Sequence, residues 1–497
     1  MSAAPGFLRL YAICLLPFML LATMNSAGYR YGASDQAFYA PAMLKAIDPA
    51  LYPRDSDLIR SQAQLTLADN VIGPISRTLS LPLPAVFAAL QVLVLSLLSA
   101  AVLWIGDYFY RSRWSSIALV ALVTLRHAIS KSGTNTLEGY FHPRQLSFAL
   151  GALAVGAFLR RRYTATAALV AAAFTLHPTT ALWLGIWLAV AVMYEERHDV
   201  RLRRLAPAIA IVLAVTAAWA LTAGPLAGRL ARMDPDWLDT LASKDYLFPL
   251  EWPAAAWLVN LGYVPLILWL HARRRAAGLL AARETSLVIG CLSLVAIFLA
   301  LLPFNAARVA LAIQLQPARI FWMADFLAAI YVVWAIAEYR IPSPARARAA
   351  ALVLLAISIA RGSYVMFVEF PARRIAQIDI SDDDWGRAMS WARASGQGSG
   401  WLAHPAHATR YGTSVRVAGH RDVFVEAIKD GAVGMYDRAV ALRTRDRVRL
   451  VGDFETLTPE RARALGREFD LDYVITEQRL DLPLVFSSGI LTVYSLR

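Results

Sequence analysis

The chain has 497 residues, a formal net charge of +13 and 58% apolar residues, with only 17% charged. Its mean hydropathy of +0.47 exceeds that of a soluble globular chain, and its apolar residues form long runs. The weak alternating segments of a membrane β-barrel are absent. The class is therefore a polytopic helical membrane protein. The positive charge falls in short stretches between the runs, which is a topology signal and excludes a nucleic-acid footprint.

Eleven apolar segments follow in chain order, near 8–27, 83–106, 115–129, 145–159, 164–177, 179–194, 205–223, 254–271, 285–303, 318–338 and 349–368. Several are shorter than the ~20 residues of a perpendicular span. Only Arg9 flanks the first segment and many spans follow it, so it is expected to stay as a helix rather than be cleaved. Residues 164–194 also fit one helix kinked at Pro178. The loop charges favour two. With residue 1 in the cytoplasm, one side receives Arg111 and Arg113, then Arg160–Arg162. It also receives Arg197, Arg201, Arg203 and Arg204, then Arg273–Arg275 with Arg283, and last Arg340, Arg346 and Arg348. Cys14 and Cys291 lie inside apolar segments and read as reduced packing residues.

The other side carries the long first loop 28–82, with a short helix near 72–80, then 130–144, a turn at His177, 224–253 and 304–317. Residues 371–497 follow there as a small α/β domain. Asp382-Asp383-Asp384 reads as a helix start, its acids at the positive end of the dipole. Short strands are expected at 415–417, 423–425, 448–451 and 472–475, and a hairpin over 484–496 turning at Ser487-Ser488-Gly489. The expected fold is thus an all-α membrane domain, 1–370, of about eleven transmembrane helices, with this C-terminal domain outside the cytoplasm.

The polar residues of this outer side have distinctive types. Asp35 follows the first segment, where an ionisable group held near a bilayer is costly and so suspect for chemistry. It is equally placed to cap a helix starting at Gln36. Glu138, His142 and Arg144 fall within eight residues, and His177 and His142 each precede a proline, which also marks helix ends. Arg308, Gln314, Gln316 and Arg319 bracket the start of the tenth segment. Arg144 also fits a snorkelling interfacial role. Arginine matches a phosphate with its forked donors, and Asp or His can deprotonate a hydroxyl. The set therefore suits an anionic ligand. His404, His407 and His420 have no ligand-like partners in sequence, and no metal is assigned. No Walker or Rossmann glycine pattern is present.

Five stretches carry a family resemblance. They are Asp35-Gln36, Asp48-Pro49-Ala50-Leu51-Tyr52-Pro53 with Asp55, His142-Pro143-Arg144, Leu176-His177-Pro178 and Asp472-Tyr473-Val474-Ile475-Thr476-Glu477. With them the chain resembles the GT-C superfold of membrane glycosyltransferases, and within it a bacterial group of GT-C-like membrane proteins. The resemblance implies a bacterial inner-membrane enzyme that takes a sugar from a polyprenyl-phosphate donor and passes it to a lipid, glycan or protein acceptor. It implies that Asp35 is the catalytic base. Glu138, His142, Arg144, His177, Arg308, Gln316 and Arg319 are then the expected substrate-binding residues. The superfold often pairs two acids in the first loop, and here the second is Gln36. No cofactor is expected, although a divalent metal fits such chemistry. A lipid or glycan flippase, or an inactive scaffold whose tail binds a partner, remain the alternatives.

Overall fold

Helix starts are written plainly in this chain. Prolines in the first turns of Leu83–Phe109, Pro143–Leu159, Pro178–Glu195 and Pro344–Tyr364 fit the helical φ and need no N–H partner. Ser112 caps Arg113–Val123 by accepting from Trp114 N, and Ser343 caps Pro344–Tyr364 through Arg346 N. The computed structural model describes residues 5–339 and 343–497, so Arg340 of the last basic cluster lies outside the described residues.

Eight helices among the described residues are long and apolar enough to cross a membrane: 6–25, 83–109, 178–195, 203–222, 254–276, 284–306, the broken stretch 310–337, and 344–369. Three shorter apolar helices, Arg113–Val123, Pro143–Leu159 and Tyr163–Leu176, occupy the remaining expected segments. Their lengths are below a perpendicular span. The kinked single helix over 164–194 does not form. His177 ends one helix and starts the next, and the two pack on each other.

The bundle centres on Ile320–Ala337, buried along most of its length, where Trp322 stacks on Phe148 with ring centroids 4.0 Å apart. Helix Val200–Thr222 lies at the periphery and turns exposed Ile211, Val212, Leu213 and Val215 outward, a surface compatible with a membrane-spanning segment. Cys14 and Cys291 are buried free thiols.

The basic clusters meet at one end of the bundle. Arg161 pairs with Glu196 at 2.8 Å, Arg160 with Asp107 at 3.3 Å, and Arg274 with Glu284 at 2.8 Å. Glu338 accepts from the backbone of Arg111 and Ser112. The first loop and the tail lie at the opposite end.

The tail holds a five-stranded sheet. Its strands are β5 (Gly400–Leu402), β6 (Asp422–Val423), β7 (Tyr473–Thr476), β8 (Leu484–Ser488) and β9 (Leu491–Ser495), in the order β6-β5-β7-β9-β8, with β5 parallel to both neighbours and β9 antiparallel to both. Side chains alternate between two cores. Leu402, Val474 and Tyr494 join one, while Trp401, Ile475 and Val493 join the other. Four smaller strands precede these: β1 (Tyr29–Arg30) pairs in parallel with β4 (Ala376–Gln377), and β2 (Ala128–Ile129) pairs with β3 (Thr134–Asn135).

Several local expectations are corrected. Residues 415–417 lie in a wide helical turn, Val415–Gly419, because Ser414 caps Val417 N and Arg416 is held inward by two carboxylates. Residues 448–451 end the helix Arg438–Val451, whose start is fixed by Asp437 accepting from Ala439 N and Val440 N. That capping signal outweighs the β-branched valines. The short loop helix is Ala68–Thr78, and the hairpin turns at 489–490. Asp383 does cap Asp384–Ala394, accepting from Gly386 N.

Candidate functional site

Asp35 occupies the N-cap position of helix Gln36–Ile47, yet its side chain makes no capping bond. It turns inward. Oδ1 receives Lys429 Nζ at 2.7 Å, and Oδ2 faces Arg144 Nη2 at 3.2 Å, His142 Nε2 at 3.5 Å and the Tyr140 hydroxyl at 3.5 Å. Burial opposes its ionisation, but Lys429, His142 and Arg144 together hold the carboxyl well below the usual carboxylate range.

Gln36 explains the missing second acid. Its Oε1 accepts from Gly32 N at 2.6 Å and its Nε2 donates to Phe141 O at 3.0 Å, fastening the first loop to the 138–142 loop. A carboxylate could not donate the second bond. Gly139 serves the same junction, since a Cβ there would overlap the carbonyl oxygens of Ser26 and Gly28.

Both histidines cap helices and face the cluster. His142 Nδ1 accepts from Arg144 N at 3.0 Å, and His177 Nδ1 accepts from Thr180 N at 3.2 Å. An accepting Nδ1 leaves the ring proton on Nε2. The His142 Nε2–H therefore points at Asp35. The rings of His142 and His177 lie 5.9 Å apart, edge to face. Burial, then the cations beside them, lowers both pKa values, His177 well below the ordinary value. Both rings are neutral at pH 7.

His177 Nε2 meets Arg319 Nη1 at 3.5 Å. With the proton on Nε2, two donors face each other and no acceptor stands between them. Arg319 Nε is also buried without a partner. Gln316, in the left-handed region at φ 48°, turns the chain ahead of the Pro317–Arg319 turn and donates to the Tyr436 hydroxyl at 2.8 Å. Glu138, on the far side, pairs with Arg144, its side chain 2% exposed and its Oε2 without a partner.

The structure thus gathers Asp35, Glu138, His142, Arg144, His177 and Arg319 into one connected cluster at one end of the bundle. Gln316 adjoins it through the Arg319 turn. Arg308 is placed elsewhere, paired with Glu251 at 2.6 Å and stacked over Phe248. Gln314 bonds Arg229 and Met435 O.

Sequence reasoning missed Lys429. It stands in helix Ala427–Gly434 of the tail, which Glu426 caps through Lys429 N and which Lys244 Nζ secures through Ile428 O. Burial and Lys429 lower the Lys244 pKa to about 8. One signal was available: the chain has four lysines among 49 basic residues, and none lies in the basic clusters. A small cleft lined by Phe38, Leu58, Ile59, Gln62 and Arg416 shares Lys429 with the cluster.

Asp35, Glu138 and His142 offer ligand atoms within 4.8 Å of one another, enough for a metal ion. Arg144 and Lys429 already engage both Asp35 oxygens and Glu138 Oε1, so a cation bound through those atoms would have to displace them, and Glu138 Oε2 alone is left without a partner. With both histidines neutral, three cations stand against two carboxylates, and the unpaired donors cluster at Arg319. That arrangement suits an anion beside Arg319 and a proton acceptor at Asp35. No protein-family model matches the chain, and no curated protein does.

Proposed function

We propose that the protein is a membrane glycosyltransferase of the GT-C kind, working at the outer face of a bacterial inner membrane with a polyprenyl-phosphate-linked sugar as donor. The observation that carries this reading is the pairing of two sites in one cluster: an inward-turned, ionised Asp35 and the acceptor-less donors of Arg319. Eight apolar helices suit a donor that arrives through the bilayer.

In this reading Arg319 and Lys429 hold the donor phosphate. Asp35 takes the proton of the acceptor hydroxyl as that oxygen bonds to the anomeric carbon. The bond from that carbon to the phosphate oxygen breaks, and the electron pair leaves with the polyprenyl phosphate. Because the acceptor attacks directly, the sugar inverts. Lys429 links the two halves. While it is bound to Asp35 the carboxylate is a weak base, and a phosphate that draws Lys429 away restores its basicity. Arg144, fixed by Glu138, keeps Asp35 aimed.

The test is turnover of labelled polyprenyl-phosphate sugars by the purified full chain in nanodiscs. Asp35→Asn keeps the size of the side chain and removes proton acceptance, so transfer should fall about 10²- to 10⁴-fold, the usual contribution of a general base. Near-normal transfer in this variant defeats the assignment of the base. Translocation in vesicles without transfer would establish a flippase instead.

A further inference from the structure

A second concentration of charge lies at the same end of the bundle. Arg30, Arg126, Arg361 and Arg373 gather where helices Pro5–Asn25 and Pro344–Tyr364 end. The β1–β4 ladder sets this up, with Tyr29 N donating to Ile375 O at 2.8 Å and Tyr31 N to Gln377 O at 3.0 Å. It lays Gln377 opposite Arg30, with Arg373 just ahead of the ladder on the same segment. Arg361 Nη1 is fixed on Asn25 O and Oδ1 at 2.9 and 2.8 Å. Arg30 and Arg373 lie within electrostatic reach of each other, as do Arg126 and Arg361.

Among the described residues no carboxylate forms an ion pair with Arg30 or Arg373. Neither guanidinium donates a hydrogen bond to a described residue, and Arg30 Nε is shielded from solvent without a partner. Glu369 is within electrostatic reach of Arg361 and Arg373 but forms no ion pair among the described residues. Two half-buried guanidiniums within electrostatic reach of each other, neither with a hydrogen-bond acceptor among the described residues, suit an anion beside them.

The surroundings select the anion. Tyr364, Phe367, Val368, Ile375 and Ile378 are exposed large apolar residues of the stretch that carries Arg373. The Arg373 guanidinium sits 3.6 Å from the Phe370 ring centroid. This is the rim, where the apolar surface of the bundle meets its polar end. Arginines over apolar side chains at such a rim match the phosphate of an anionic lipid, whose tails would lie along the exposed apolar face. Arg30 is also within electrostatic reach of Tyr140, which bonds Asp35.

We infer that Arg30 and Arg373 form a second phosphate site, which holds the headgroup phosphate of an anionic lipid at the membrane rim beside the Asp35 cluster. The site does not depend on the glycosyl-transfer reading, and its test needs no turnover.

The full chain is purified in a neutral detergent and offered phosphatidylglycerol or phosphatidylcholine, and bound lipid is counted by native mass spectrometry. The wild type should retain phosphatidylglycerol preferentially. Each of Arg30→Gln and Arg373→Gln should weaken it roughly five-fold and the double variant about thirty-fold, with phosphatidylcholine unchanged. The double Arg→Lys variant keeps the charges and guards against misfolding, and it should fall between wild type and the double Gln variant. An unchanged phosphatidylglycerol preference in the double Gln variant overturns the site. Inorganic phosphate is the competing arm. Displacement of the lipid by millimolar phosphate would overturn the lipid assignment, and failure to displace it supports the lipid.

Discussion

Arg416 joins the tail to the first loop, and replacing it with methionine should loosen that joint selectively. Its guanidinium makes three bonds, Nε to Asp55 Oδ2 at 2.8 Å, Nη1 to Asp430 Oδ1 at 2.6 Å and Nη2 to Asp430 Oδ2 at 3.1 Å. Side-chain exposure is 2% for Arg416, 1% for Asp55 and 4% for Asp430. In Arg416→Met, Asp55 keeps Arg443 and Val423 N, but Asp430 keeps only Glu426 N. Leaving a buried carboxylate so poorly compensated costs about 3–5 kcal/mol. At ~1.4 kcal/mol per decade, local opening of the segment becomes roughly 10²- to 4 × 10³-fold more frequent. Hydrogen exchange of the full chain in detergent, read on peptides spanning 415–434, measures this directly. The comparison is Arg60→Met, whose partner Asp57 is exposed, and which should leave exchange unchanged. A rise of less than ten-fold in Arg416→Met would refute the account of how the tail is held, and with it the placement of Lys429 on Asp35.

Arg319→Lys keeps the charge but loses the forked geometry, so binding of a labelled polyprenyl phosphate should weaken about ten-fold or more; equal affinity would remove Arg319 from the phosphate site. Lys429→Met removes one of the groups that hold the Asp35 carboxyl well below its usual range. Its pKa must rise, so the acid limb of the turnover profile should move to higher pH, and superimposed profiles would contradict the pairing. Burial pushes Asp69 up to about 7, and neither carboxylate oxygen has a partner. The folded state then binds the extra proton between about pH 4 and pH 7, so stability falls as pH rises through that window. Asp69→Asn should accordingly change little at pH 4 and stabilise most above pH 7, by at most about 4 kcal/mol; a gain that does not grow with pH would exclude the effect. Reporter fusions after Arg162 and Arg204 should report cytoplasm, and a fusion after Phe370 the outside, which a cytoplasmic signal after Phe370 would contradict.

The sequence by itself determined what depends on neighbours along the chain. Runs of apolar residues set the helices, and prolines with Ser112, Ser343, Asp383 and the histidines set where they start, because capping is a bond to an amide two or three residues away. It also determined that one end of the bundle is rich in arginine and the other in mixed polar residues. Asp35 shows where that legibility stops. A local reading allows it to cap helix Gln36–Ile47, and only the fold supplies Lys429, 394 residues later, to draw it inward. The same holds for Gln36, whose amide has meaning only against Phe141, and for Arg416, which bends its segment into a turn by reaching Asp55 and Asp430. The tertiary structure decided these because charge pairing acts through space and ignores sequence separation. It also took Arg308 away from the cluster, since Glu251 lies nearer in the folded chain than any group of the site.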